Sequence, residues 1–400
     1  MSCFANRRKS NMIPKGFRAA AVEAQMRYKN RLDLGLIVAD EFQASAGVFT
    51  QNVSQAAPVV WSKNRIGQGR AILVNAGQAN AQTGRGAGDR CLQSAKAVAD
   101  LLSLEADDIL LASTGVIGQP LNIEALTQAV PSLVKNLATD GFADFSKAIL
   151  TTDTVTKTAE TVIPFESGPP AVIWGAAKGS GMIAPNMATM LAFVLTDAAV
   201  EPKLLRSMLA QTAETTFNRV TVDGDTSTND SLFILASGAA RPQVITGGPE
   251  ADIFKKALHK VLGSLARQIV RDGEGATHLV EVKVRGARTQ EEALLAARTV
   301  AQSPLVKTAF FGEDANWGRI LAALGRSGAD FEPYRVDIDI DDLAWIRHGL
   351  VFGRDMDATA AMKKREYCLT INLNNGPGQD QMLTCDFSYD YVKINGSYRS

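Results

Sequence analysis

Lys178-Gly179-Ser180-Gly181-Met182-Ile183-Ala184-Pro185-Asn186-Met187-Ala188-Thr189-Met190-Leu191 is the stretch on which the reading of this chain turns. Two glycines and a proline, residues that set sharp turns, lead into a small residue and a threonine, and the apolar run Leu191–Leu195 follows at once. Such a pattern hands a hydroxyl to the start of a buried strand. Taken alone it is also ordinary loop punctuation before a β-branched strand former. Chemically it allows more. The Thr189 hydroxyl can attack the carbonyl of Ala188, and water opening the resulting ester would leave Thr189 as a new N-terminus. Its α-amine, with an ordinary pKa of about 7.7–8.0, would be partly neutral at pH 7 and would lie beside the hydroxyl. One residue would then carry nucleophile and general base, which suits acyl transfer in a chain with only three histidines.

Outward from that stretch, short β-like runs alternate with amphipathic helices, so the layout is mixed α/β. Strands are predicted at Asp33–Asp40, Ala71–Asn75, Ile109–Ser113, Met190–Thr196 and Ser231–Ala236, bounded by Gly, Asn or Ser. Several are apolar throughout, which implies cover on both faces in either a layered α/β/β/α or a doubly wound arrangement. Pro202 opens a helix with the stripe Leu204, Leu205, Met208, Leu209 and Ala213, and Phe254, Leu258, Val261, Leu262, Leu265 and Ile269 mark another. Thr289 with Glu292 forms a capping box before Ala293–Val300, just after the alternating strand of Val280, Val282 and Val284.

Composition prunes the functions available. A chain of 400 residues exceeds what one hydrophobic core usually serves, so two or three lobes are expected. Lys plus Arg equals Asp plus Glu at 42 each, which leaves no overall field for nucleic acid or an anionic membrane. Four cysteines without CxxC spacing and three histidines give no familiar zinc pattern, so a reducing, cytosolic, metal-free protein is expected. No stretch approaches the ~18–20 apolar residues of a membrane helix. Residues 1–31 carry Arg7, Arg8, Lys9, Lys15, Arg18, Arg27, Lys29 and Arg31 against Glu23 alone, read as an exposed basic arm rather than a targeting segment. GxxxxGK[ST], HExxH and GxSxG are all missing. Asp223-Gly224-Asp225-Thr226-Ser227-Thr228 opens like a calcium loop but lacks the glycine at its sixth position.

Helpers for a threonine nucleophile lie elsewhere. Thr114 and Gly115, after the strand Ile109–Ala112, can offer a hydroxyl and an N–H to a developing oxyanion, each worth ~3 kcal/mol, or can simply end that strand in a turn. Lys178 is a candidate receptor for a carboxylate, or a solvated loop cation. Glu274, in Asp272-Gly273-Glu274-Gly275, is an acidic loop behind a helix or a receptor for an ammonium. Gly312-Glu313-Asp314-Ala315-Asn316-Trp317-Gly318-Arg319 is a structural hydrogen-bond network or a site.

Read together, these blocks resemble the glutamate N-acetyltransferase, or ornithine acetyltransferase, family of arginine biosynthesis. The resemblance runs from Ala46-Gly47-Val48-Phe49-Thr50 through Ser113-Thr114-Gly115-Val116-Ile117-Gly118, Thr151-Thr152-Asp153-Thr154 and the Lys178–Leu191 run. It continues through Thr221–Asp230, Asp272-Gly273-Glu274-Gly275-Ala276-Thr277 and Gly312–Arg319 to Tyr391-Val392-Lys393-Ile394-Asn395. The family's nucleophile motif stands unchanged as Asn186-Met187-Ala188-Thr189.

That resemblance implies self-cleavage between Ala188 and Thr189 into an α chain (1–188) and a β chain (189–400). By the same carry-over Thr189 is the nucleophile and Thr114 with Gly115 forms the oxyanion site. Thr152, Lys178, Thr189, Glu274, Asn395 and Ser400 match substrate contacts. It implies a ping-pong enzyme that moves the acetyl group of N2-acetyl-L-ornithine to L-glutamate through acetyl-threonine. It also implies a layered mixed α/β fold of the ornithine acetyltransferase type, distinct from doubly wound sheets, with a smaller C-terminal α/β lobe. Two α and two β chains would assemble in the cytoplasm, with no cofactor, membrane or nucleic acid, and acetyl-coenzyme A stays open as a second donor. The alternative is an N-terminal-nucleophile aminopeptidase or amidohydrolase that passes the acyl group to water. Departures are Ser400, where the family usually ends in Thr, and Ala76, Gln78 and Gln82, where it has Ser, Asn and Cys.

Overall fold

The computed structural model describes residues 12–184 and 190–396. Two sheets lie face to face. One has four strands in the spatial order Phe17–Val22, Leu34–Ala39, Ala71–Gln78 and Ile109–Val116. The other has five, in the order Ala44–Phe49, Ser231–Ile245, Leu191–Val200, Ala171–Lys178 and Lys157–Ile163. Phe17, Ile72 and Leu110 of the first sheet share a core with Trp174, Phe193 and Phe233 of the second. The Phe193 and Phe233 rings stack at 5.9 Å between centroids. Burying each ring contributes ~1.5–3 kcal/mol relative to leaving it in water.

Helices cover the outer faces. Ala87–Leu102 and Ile123–Lys135 pack on the four-stranded sheet, and Pro202–Glu214 with Gly248–Arg271 on the five-stranded one. The result is the α/β/β/α sandwich. Its strands are apolar on both faces because both faces are covered: every residue of Leu34–Ala39, Ala71–Gln78 and Leu191–Val200 is buried. The sheets are mixed rather than doubly wound. Leu191–Val200 runs parallel to Ser231–Ile245 and antiparallel to Ala171–Lys178.

The C-terminal lobe is built on seven strands, ordered Leu350–Val351, Leu343–Arg347, Asp337–Ile340, Glu366–Asn372, Leu279–Ala287, Gly378–Cys385 and Val220–Thr221. Val280, Val282 and Val284 turn one face onto Ala293, Ala297 and Val300 of the helix Gln290–Ala301. Thr289 caps that helix by accepting the Glu292 N–H at 3.2 Å. Only half of the expected capping box forms, because the Glu292 carboxylate accepts Arg288 at 2.7 Å instead of turning back. The short strand Val220–Thr221 joins this lobe's sheet and leads straight into the loop that supports the cleft described next.

Candidate active site

A cleft of about 480 Å³ opens where the two lobes meet. Thr114, Gly115, Thr152, Lys178, Glu274 and Asn395 all line it, joined by Thr151, Gly181, Met182, Ser227 and Asn229. Six residues spread over some 280 positions of sequence are thus brought to one wall. Ala188, Thr189 and Ser400, the remaining residues singled out from the sequence, lie outside the described residues, as do Arg7, Arg8 and Lys9.

Each position has a local cause. Thr114 and Gly115 do not form a strand-ending turn. The strand continues to Val116, with Thr114 paired to Ala76 and Gly115 to Gly77. Gly115 adopts φ +129°, and a Cβ there would come within 2.2 Å of the Gly77 carbonyl carbon, so only glycine fits. Asn229 fastens this strand end from across the molecule, donating to the carbonyls of Ser113 at 2.8 Å and Ala79 at 2.7 Å. Gln78, one of the departures from the family pattern, accepts the Asn122 N–H at 2.8 Å and donates to the Pro120 carbonyl at 3.0 Å. It thereby ties the neighbouring strand to the following loop.

The segment 221–231 pins the chain on either side of residues 185–189. Asp223 accepts the N–H groups of Met182 and Ile183, the latter at 2.8 Å, and Thr226 donates to the Ala184 carbonyl at 2.8 Å. On the far side the Ser231 N–H donates to the Met190 carbonyl at 3.0 Å. The run that opens like a calcium loop is therefore a clamp for backbone N–H groups. Asn316 of the polar Gly312–Arg319 run caps the helix Trp317–Gly325 by accepting the Arg319 N–H at 3.2 Å, the structural reading of that segment.

Charge is concentrated behind the cleft. Lys178 donates to Thr151 Oγ1 at 2.7 Å and to Thr114 Oγ1 at 3.3 Å, and its Nζ lies 3.7 Å from Asp153. It is a buried cation, not a solvated one. Burial pushes the Lys178 ammonium below its ordinary pKa, and Asp153 and Glu274 only partly oppose this. Burial would raise the Asp153 carboxyl, yet the charges of Lys178 and Lys157, with N–H donation from Gly179, hold it well below the usual carboxylate range. Asp230 stands at the other extreme. Its burial outweighs the Met190 N–H, Lys178 and Thr50, and drives its carboxyl well above the ordinary value.

Also lining the cleft, Glu274 accepts the Asn395 side chain at 2.7 Å, while its own N–H donates to the Ser180 carbonyl at 2.8 Å. Thr152 Oγ1 meets Ser180 Oγ at 2.7 Å. Gly181 faces Glu274 so closely that a Cβ would stand 2.3 Å from Oε2. Gly181→Ala is expected to push the carboxylate aside and raise the KM of a substrate that Glu274 binds about tenfold, with a smaller change in kcat. Steady-state kinetics reads that split.

Thr151, Asp153, Ser180 and Asn229 were present in the quoted motifs without a role. Asp153 lies 25 positions before Lys178 in sequence. Only the pairing of Lys157–Ile163 with Ala171–Lys178, which sets Lys157 opposite Ala177, brings the two together. A polar run after a helix, Thr151-Thr152-Asp153-Thr154, was the available signal.

The sandwich carries a polar cleft, and the relatives it matches make it an enzyme of the acyltransferase class. The sequence model of the ArgJ family matches residues 18–400, and the chain belongs to that family. Arginine biosynthesis bifunctional protein ArgJ of Desulfotalea psychrophila is 49% identical over 391 residues, covering 96% of this chain and 99% of its own. The protein of the same name from Geobacter sulfurreducens is 48% identical over 394 residues, covering 97% of this chain and 100% of its own. The crystal structure of the Bacillus halodurans ArgJ protein is 43% identical with a TM-score of 0.51, over 52% of this chain and all of that one. Among the described residues no helix is long and apolar enough to cross a membrane.

Proposed function

We propose that this enzyme carries the acetyl group of N2-acetyl-L-ornithine to L-glutamate on Thr189, after severing its own backbone between Ala188 and Thr189. The observation that carries the reading is the convergence of Thr114, Gly115, Thr152, Lys178, Glu274 and Asn395 on one cleft, with Met182 of the nucleophile loop in its wall. Thr189 Oγ attacks the acetyl carbonyl while the Thr189 amine takes its proton. The Gly115 N–H and the Thr114 hydroxyl hold the oxyanion. Because the Thr114 oxygen accepts from Lys178, its proton is turned away from that lysine and is free for the oxyanion. Collapse expels the α-amine of ornithine, which recovers the proton, and leaves acetyl-Thr189. Glutamate's amine then attacks the ester by the reverse route.

Ornithine carries an α-carboxylate and a side-chain ammonium. Lys178 and Glu274 are opposite charges in one cleft and match those two groups. Asn395 donates to Glu274 where the ammonium would sit, and so fills that place between turnovers. Glu274→Gln is expected to raise the KM for acetylornithine about 10- to 100-fold, because a charge-assisted bond becomes a neutral one, with kcat within a fewfold. An unchanged KM would refute the pairing.

The reaction asks for a nucleophile, a base and two hydrogen-bond donors, and calls for no cofactor. The word bifunctional in the relatives' names supports a second acetyl donor, for which acetyl-coenzyme A is our choice. Coverage of the whole Bacillus halodurans chain by about half of this one supports an enzyme of two separate chains. We assign these as 1–188 and 189–400, assembled as two α and two β chains in the cytoplasm. Transfer to water is not favoured, since the full-length relatives carry the name of biosynthetic enzymes. Incubation with acetylornithine and glutamate should yield acetylglutamate as the main product. Free acetate in its place would restore the hydrolase reading.

A further inference from the structure

Behind Lys178 lie three more charges that the reaction never touches. Lys157, the first residue of the strand Lys157–Ile163, is fully buried and donates to Asp153 at 2.7 Å and to Asp272 at 2.5 Å. Asp153 in turn accepts the N–H of Gly179 at 2.7 Å and of Thr151 at 3.1 Å. Asp272 accepts both the N–H and the hydroxyl of Thr154. The groups facing Lys178 are thus Asp153 and Thr151 from the segment before the strand, Lys157 from the strand itself, Glu274 from the loop after the helix Gly248–Arg271, and Asp230 from the clamp.

We propose that Lys157 is a positioning residue for acetyl transfer: by anchoring Asp153 through Oδ1 and setting a second positive charge behind it, Lys157 holds Lys178 on the hydroxyls of Thr151 and Thr114 instead of letting it close onto the carboxylate. The argument is geometric. Lys178 Nζ pairs with Asp153 Oδ2 at 3.7 Å, a longer contact than its 2.7 Å bond to Thr151, although the two carry opposite charges in a buried setting where attraction is strong. Lys157 and the Gly179 N–H both hold Oδ1 of Asp153, the Thr151 N–H holds Oδ2, and the charge of Lys157 repels Lys178, which stands nearest Oδ2. Within this buried group two lysines face two aspartates. Removing Lys157 leaves Asp153 short of a partner with Lys178 as the nearest cation. Lys178 would move to it and release Thr114, whose hydroxyl would then be free to rotate away from the oxyanion. A displacement of this size in a donor that must meet a developing charge costs one to two orders of magnitude in rate.

The inference rests on the reading of Thr114 as an oxyanion donor, and the experiment separates the two. Lys157→Met, Lys157→Met/Asp153→Asn and Thr114→Val are prepared as full-length protein, checked for two-chain processing on a denaturing gel, and assayed for kcat and KM with acetylornithine and glutamate. Lys157→Met is expected to lower kcat about tenfold or more. The double variant, which removes the carboxylate that would capture Lys178, is expected to recover most of that loss, whereas a purely structural role would make the second change add to the first. A kcat for Lys157→Met within about twofold of the parent, or a double variant no better than the single, overturns the inference. If Lys157→Met does not accumulate as folded protein, the double variant decides alone: kcat within about threefold of the parent supports the proposal and kcat below about a tenth overturns it. An unaffected kcat in Thr114→Val would instead count against the oxyanion reading itself.

Discussion

Thr189→Ala is expected to run on a denaturing gel as a single chain of 42.7 kDa and to lose acetyl transfer by roughly four orders of magnitude or more. Two losses coincide in one substitution. Without the hydroxyl there is no attack on the Ala188 carbonyl, so no new N-terminus forms and no free amine takes up protons. Without processing or hydroxyl, the cleft keeps its oxyanion donors and charges but has nothing to acylate. The fold itself should survive, because the bonds that pin the described ends of the loop run from Met182, Ile183, Ala184 and Met190 to the 221–231 segment and involve no part of Thr189. A melting temperature within a few degrees of the uncut parent fold would confirm that activity was lost through chemistry. Thr189→Ser, which keeps an attacking oxygen, should still process.

Thr114→Val carries the second large effect. The substitution exchanges the hydroxyl for a methyl of similar size, so it removes the donor without opening a cavity and leaves Lys178 one acceptor short. One oxyanion donor is worth about 10²–10³ in kcat, and that loss should appear with little change in KM, since the charge it stabilises exists only in the transition state. Stability should fall by about 1 kcal/mol, because Lys178 loses one acceptor and keeps Thr151. The Gly115 N–H would remain in place, held by the strand pairing with Gly77, which is why loss should be partial.

How much of this was visible in the chain follows from the range of each interaction. Leu191–Val200 announces itself because strands buried on both faces need unbroken apolar runs, and the helix stripes show because one face must meet a sheet. Thr114 and Gly115 stand out as a pair in the sequence, but the strand predicted there, Ile109–Ser113, stops before them. What extends it is the partner Ala71–Gln78, whose own last residues supply the pairing, and local sequence does not record a partner. Local sequence leaves Lys178 open between a carboxylate receptor and a solvated loop cation for the same reason. Its burial is set by Asp153, Thr151 and Glu274, each far away along the chain. Residues lining the cleft stand in recognisable motifs, whereas Lys157 stands in none and differs in nothing from an ordinary surface charge until the fold buries it.

The most direct measurement is the intact mass of the enzyme mixed with acetylornithine in the absence of glutamate. The account predicts two fragments divided before Thr189, with the later fragment heavier by one acetyl group and returning to its unmodified mass when glutamate is added. A fully active enzyme observed as one uncut chain, or acetyl found on neither fragment while acetylglutamate is being made, would contradict it.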